Sequence, residues 1–110
     1  MLNVYQIRLT HEEVVQVTAL GWGVDNPKIQ AYGARHFGSK IENVNMDHYD
    51  LVAKVDTNDL EKAFELMNLW DRPELVTKLS SCSSMSVGDV VEDEDGNRFL
   101  CAAFGFEKIN

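Results

Sequence analysis

Three histidines, two cysteines, a serine cluster and one acidic run are the residues of this 110-residue chain whose types could do chemistry. His11-Glu12-Glu13 opens like a zinc-protease helix, but that chemistry needs a second histidine four positions on, facing the same metal, and Val15 stands there. Glu12 and Glu13 are therefore expected to serve a helix start, where carboxylates meet the positive end of the dipole. Asp47 adjoins His48, yet neither His36 nor His48 has a set of Cys, His or carboxylates at ligand spacing, so no metal and no cofactor is expected. Nucleophilic catalysis could draw on Cys82 or on the serines around it, Ser80, Ser81, Ser83 and Ser84, given a base brought alongside by the fold. An enzyme would be built on Cys82 or His48; no spacing pairs them, and no glycine-rich phosphate loop is present.

The run Glu92-Asp93-Glu94-Asp95-Gly96-Asn97 suggests calcium. Aligning Gly96 with the sixth position of an EF-hand loop puts Val91 first and Ala102 twelfth, where oxygen ligands are required, which excludes that site. Like charges are comfortable in water at a turn, so the run reads as a hairpin tip. As a patch, Glu92, Asp93, Glu94 and Asp95 could dock cations of a protein partner. Trp22, between two glycines, and Trp70, at a helix end, are core residues or, if exposed beside the acidic surface, interface anchors.

Charge favours the docking reading over nucleic acid. The net charge is −8, made of +1 over residues 1–40 and −9 over the remaining 70. Such a surface repels a phosphate backbone, whose binding relies on Lys and Arg displacing counterions, and it steers a basic protein toward the later residues. No apolar run approaches the roughly 20 residues that cross a bilayer. The opening Met1-Leu2-Asn3-Val4-Tyr5-Gln6 lacks a charged leader and an apolar stretch, so a cytoplasmic address is expected, with reduced thiols. Cys101, inside an apolar strand, is then a small buried hydrophobe.

The elements that would position these residues follow from periodicity. Asn3 to Leu9 alternates as a strand, with Tyr5, Ile7 and Leu9 on its apolar face. Thr10 and Glu13 form a capping-box pattern for a helix with a Val14, Val17, Leu20 stripe. Asp25 or Asn26 caps a second helix, with Pro27 in its first turn, Ile29 and Tyr32 at helical spacing and Gly38 past its end near Phe37. Residues 39–48 read as a loop and Tyr49 to Val55 as a strand, with Tyr49, Leu51, Ala53 and Val55 on one face. Thr57 or Asn58 caps a third helix with Leu60, Ala63, Phe64, Met67 and Trp70 as its stripe. The serine cluster is a connection. Val87 to Glu92 and Arg98 to Ala103 flank the hairpin signal Asp95-Gly96, and Phe104 to Ile109 continues the sheet after a kink at Gly105. The sum is one α+β domain over 1–110, order β-α-α-β-α-β-β with one more short strand, its helices on one side of a small mixed or antiparallel sheet.

The segment Ser84-Met85-Ser86-Val87-Gly88-Asp89-Val90-Val91, with Gly96, Phe99-Leu100-Cys101 and Phe104-Gly105-Phe106, resembles the C-terminal signature of YodL-like small proteins of phages and mobile elements. Val4-Tyr5-Gln6-Ile7 and Val55-Asp56-Thr57 also look like that group. The resemblance implies an accessory factor of invading DNA that interferes with host defence, and it brings no active site with it. The leading expectation is a counter-defence protein acting by stoichiometric binding to a host or phage protein with a basic surface, a DNA-mimic inhibitor being its sharpest form. A small enzyme and a self-associating structural subunit, a homo-oligomer, are the alternatives.

Overall fold

The computed structural model describes residues 1–36 and 44–110. Among these, six strands form one sheet in the spatial order β3-β2-β1-β4-β5-β6. They are β1 (Leu2–Ile7), β2 (Tyr49–Val55), β3 (Val76–Lys78), β4 (Val90–Glu92), β5 (Arg98–Cys101) and β6 (Phe106–Lys108), with helices α1 (His11–Leu20), α2 (Pro27–His36) and α3 (Leu60–Leu69). Every pairing is antiparallel, so the α+β reading holds and the mixed alternative falls away. β3 is an addition to the expected order: its three residues are too few to carry an alternation.

The sheet is covered on both faces. Val4, Val91 and Cys101 belong to one core cluster with Ala63, Leu66 and Met67 of α3, whereas Tyr5, Val90 and Leu100 pack in a second with Ala31 and Tyr32 of α2. Successive strand residues point to opposite faces, so these two clusters, and with them α2 and α3, lie on opposite sides. The expected one-sided packing is thereby corrected. Its signature was present in the adjacent apolar pairs Val90-Val91 and Leu100-Cys101, since a strand buried twice loses its alternation. On β1 Leu2, Val4, Gln6 and Ile7 are all buried, while Tyr5 and, beyond the strand, Leu9 are half-buried. The β1–β2 register steps from Val4 opposite Ala53 to Tyr5 opposite Leu51, leaving Val52 as a bulge; Val52 and Ala53 are then both fully buried.

The helix starts follow local chemistry. Thr10 Oγ1 accepts from the Glu13 amide (3.2 Å) and Glu13 Oε1 from the Thr10 amide (2.8 Å), completing the capping box. The stripe expected on α1 is not buried: no residue of the helix is, and Val14 and Leu20 are exposed. At 100° per residue, Val14, Val15, Val17, Ala19 and Leu20 surround the axis, so no face gathers them. The helix is tied to α2 by Lys28 Nζ and Glu13 Oε1, 2.8 Å apart. Asn26 caps α2, its Oδ1 accepting from the Lys28 (3.0 Å) and Ile29 (3.3 Å) amides. Phe37 and Gly38, expected at its end, lie outside the described residues, as do residues 39–43 of the expected loop; Met46–His48 forms a single 3-10 turn.

On α3 the cap is Asp59 rather than Thr57 or Asn58, with Oδ1 accepting from the Glu61 (3.0 Å) and Lys62 (3.4 Å) amides. Thr57 Oγ1 instead accepts from the Asp59 amide. The buried stripe is Ala63, Leu66 and Met67, flanked by half-buried Leu60 and Trp70; Phe64 is exposed. The hairpin closes at Gly96 (φ 85°), and Gly105 (φ 78°) turns β5 into β6 as expected, both strands of the hairpin being shorter than the sequence suggests.

Candidate functional site

Strand register gives the molecule two chemically different ends. Leu2 stands opposite Val55, and Asn3 opposite Glu92, so residues 56–59 and 93–97 leave the sheet at the same end. The Met1 amine donates to Asn58 Oδ1 (2.6 Å) and to Glu94 Oε1 (2.9 Å), showing how close the two loops are. The Asp56 amide donates to the Leu75 carbonyl (2.8 Å), which adds the 72–75 turn. Asp56, Asp59, Glu74, Asp93, Glu94 and Asp95 thus share one end, with the Met1 amine, Arg72 and Lys108 among them.

These carboxylates do different things. Glu92 faces the sheet, where Oε2 accepts from Arg98 Nε (2.9 Å) and Oε1 from the Tyr5 hydroxyl (3.3 Å) and Asn3 Nδ2 (3.4 Å). Burial, and then the Glu92 charge, push the Tyr5 hydroxyl up. Asp93 builds the turn: Oδ1 accepts from the Asp95 and Asn97 amides, and the Asn97 side chain, 3.0 Å from Oδ2, leads in holding its carboxyl below the usual range. Asp59 caps α3, and Glu74 pairs with Arg72 (2.5 Å). Asp56, Glu94 and Asp95 are exposed.

The two tryptophans are not brought to this end. Trp22, 37% exposed, stacks on Tyr32 with centroids 5.9 Å apart and lies over Gly33, where an added Cβ would come 3.3 Å from its ring. Trp70 packs on the α3-side core in the left-handed region (φ 55°). Its Nε1 donates to Ser84 Oγ (3.3 Å), and Lys78 Nζ sits 4.5 Å from its ring centroid, so its charged neighbour is a cation.

At the opposite end, where β1 finishes at Ile7, a buried polar network ties α2 to the serine connection. Asp89 is fully buried and accepts from Arg35 Nε (2.5 Å) and Nη2 (3.3 Å), Gln6 Nε2 (3.0 Å) and the Ser86 amide (2.9 Å). Burial pushes the Asp89 carboxyl up, and the Arg35 fork opposes it. Gln6 also exchanges hydrogen bonds with the backbone of Ser83, and the buried Tyr49 hydroxyl donates to the Gly88 carbonyl (2.6 Å). Arg35, Asp89 and Gln6 were not among the expected site residues. Their positions in the chain are far apart, and no local pattern joins them.

Beside this network lies a cleft of about 320 Å³ walled by Arg8, Tyr32, Arg35, Ser81, Cys82 and Ser83 among others. Cys82 is half-buried there, but no described wall residue is a histidine. His48 lies on the Met46–His48 turn, with Nε2 3.5 Å from Asn45 Nδ2. Cys101 is buried, and its thiol is pushed up to about 12 by burial and by the Asp89 and Glu61 charges. Among the described residues no three His, Cys, Asp or Glu side chains gather as a metal site.

An antiparallel sheet with a helix on each face, acidic loops at one end and a charged cleft at the other define an α+β domain whose features sit at its two ends. The YodL-like domain model matches residues 2–110, and the chain belongs to the YodL-like family. No curated protein and no solved structure matches it. Among the described residues no helix is long and apolar enough to cross a membrane.

Proposed function

We propose that this YodL-like domain acts by stoichiometric binding of a host or phage protein, presenting its acidic end to a basic surface on that partner. The observation that carries the reading is the convergence of residues 56–59, 72–75 and 93–97 at one end of the sheet, which turns acids scattered along the sequence into one surface. Opposite charge across an interface governs encounter and partner choice more than raw affinity, which suits a small protein that must find one target. In the reading's sharpest form the acidic end imitates a nucleic acid and inhibits a host protein that handles DNA, as a counter-defence factor of a phage or mobile element in the host cytoplasm.

Affinity capture of the tagged chain from host-cell extract, at low and at high salt, tests this. A basic protein retained at low salt, released at high salt and displaced by double-stranded DNA is the expected result. Retention indifferent to salt and to DNA contradicts it.

A further inference from the structure

We infer that the cleft at the Ile7 end is a second binding site, for a carboxylate carried on an apolar body. Arg8 is half-buried in its wall, yet among the described residues its guanidinium has no hydrogen-bond or ion-pair partner. The nearby anion is not available to it: both Asp89 oxygens are already bonded by Arg35, Gln6 and the Ser86 amide. Among the described residues no carboxylate lines the cleft, so within that set a partly desolvated cation faces a cavity without a counter-charge. The guanidinium fork matches a carboxylate bidentately, and Ser81 lines the same cleft. Arg35 is matched by Asp89, so the described wall residues offer one net positive charge, which suits a monoanion better than a phosphate dianion. Leu9, Val14 and Tyr32 supply the apolar side. The volume falls at the lower end of the roughly 300–1,000 Å³ of small-molecule sites.

Such a carboxylate could belong to a free acid or to the C-terminal residue of a peptide, and two probes separate these sources. One is 3-phenylpropionate; the other is acetyl-Ala-Ala-Ala-Phe with a free C-terminus. Amide shifts in the nuclear magnetic resonance spectrum locate binding, and protection of Cys82 from iodoacetamide reports occupancy. Either probe should shift the amides of residues 6–9 and 81–83, slow Cys82 alkylation, and bind about tenfold more weakly as its neutral amide or to Arg8→Gln. The probe that binds more tightly names the source. The inference is overturned if neither probe perturbs these amides, if Arg8→Gln binds equally well while retaining the wild-type spectrum elsewhere, or if inorganic phosphate binds as tightly as the acids. Because the cleft lies at the end opposite the acidic loops, its failure would leave the partner-binding reading standing.

Discussion

Asp89 has no access to water and depends on Arg35, itself only 10% exposed, for its counter-charge. Removing one member of a buried pair leaves the other uncompensated, so Asp89→Asn is expected to lower unfolding stability by about 3 kcal/mol in urea titration. Arg72→Ala, which breaks the exposed pair with Glu74, should leave the midpoint where it was. The thiols divide in the same way. Iodoacetamide at neutral pH should modify one cysteine of the native protein, Cys82, and two once urea exposes Cys101; rapid loss of both in the native state would contradict the burial described. At this scale the sequence displayed residue types but not partners. The acidic run at 92–95 was visible, whereas the inward turn of Glu92 toward Arg98 and of Asp93 toward Asn97 depends on strand register. The Arg35–Asp89 pair joins residues 54 apart and leaves no local trace.

Elements were most legible where a side chain bonds its own backbone neighbourhood. Thr10 with Glu13, Asn26 before Pro27, Asp95-Gly96 and Gly105 each act within a few residues, and each fell where its chemistry placed it. What depends on tertiary context was not legible. The stripe of α3 took Leu66 in place of Phe64, α1 buried nothing, and three-residue β3 gave no period to read. Substitution separates the expected stripe from the observed one: Leu66→Ala should cost about 3 kcal/mol in urea unfolding, and Phe64→Ala well under half of that. The reverse ranking would mean that α3 is rotated from the position described.

For the whole molecule, register sorts charge. Asp56 and Asp95 are far apart in the chain, but the strands that precede and follow them meet at the Leu2 end, while Arg8 and the Arg35–Asp89 pair occupy the other. The composition announced an acid-rich later portion; only the sheet order says that part of it becomes a surface. The outward carboxylates Asp56, Glu94 and Asp95 can be reversed without touching the Asp59 cap or the Asp93 turn. The most direct measurement is the dissociation constant of the captured partner at low salt for wild type, for the triple variant Asp56→Lys, Glu94→Lys, Asp95→Lys, and for Arg8→Gln. The triple variant is expected to lose at least about a hundredfold in affinity, some 2.7 kcal/mol, while Arg8→Gln binds like wild type. A triple variant that stays folded and binds as tightly as wild type would contradict the partner-binding reading.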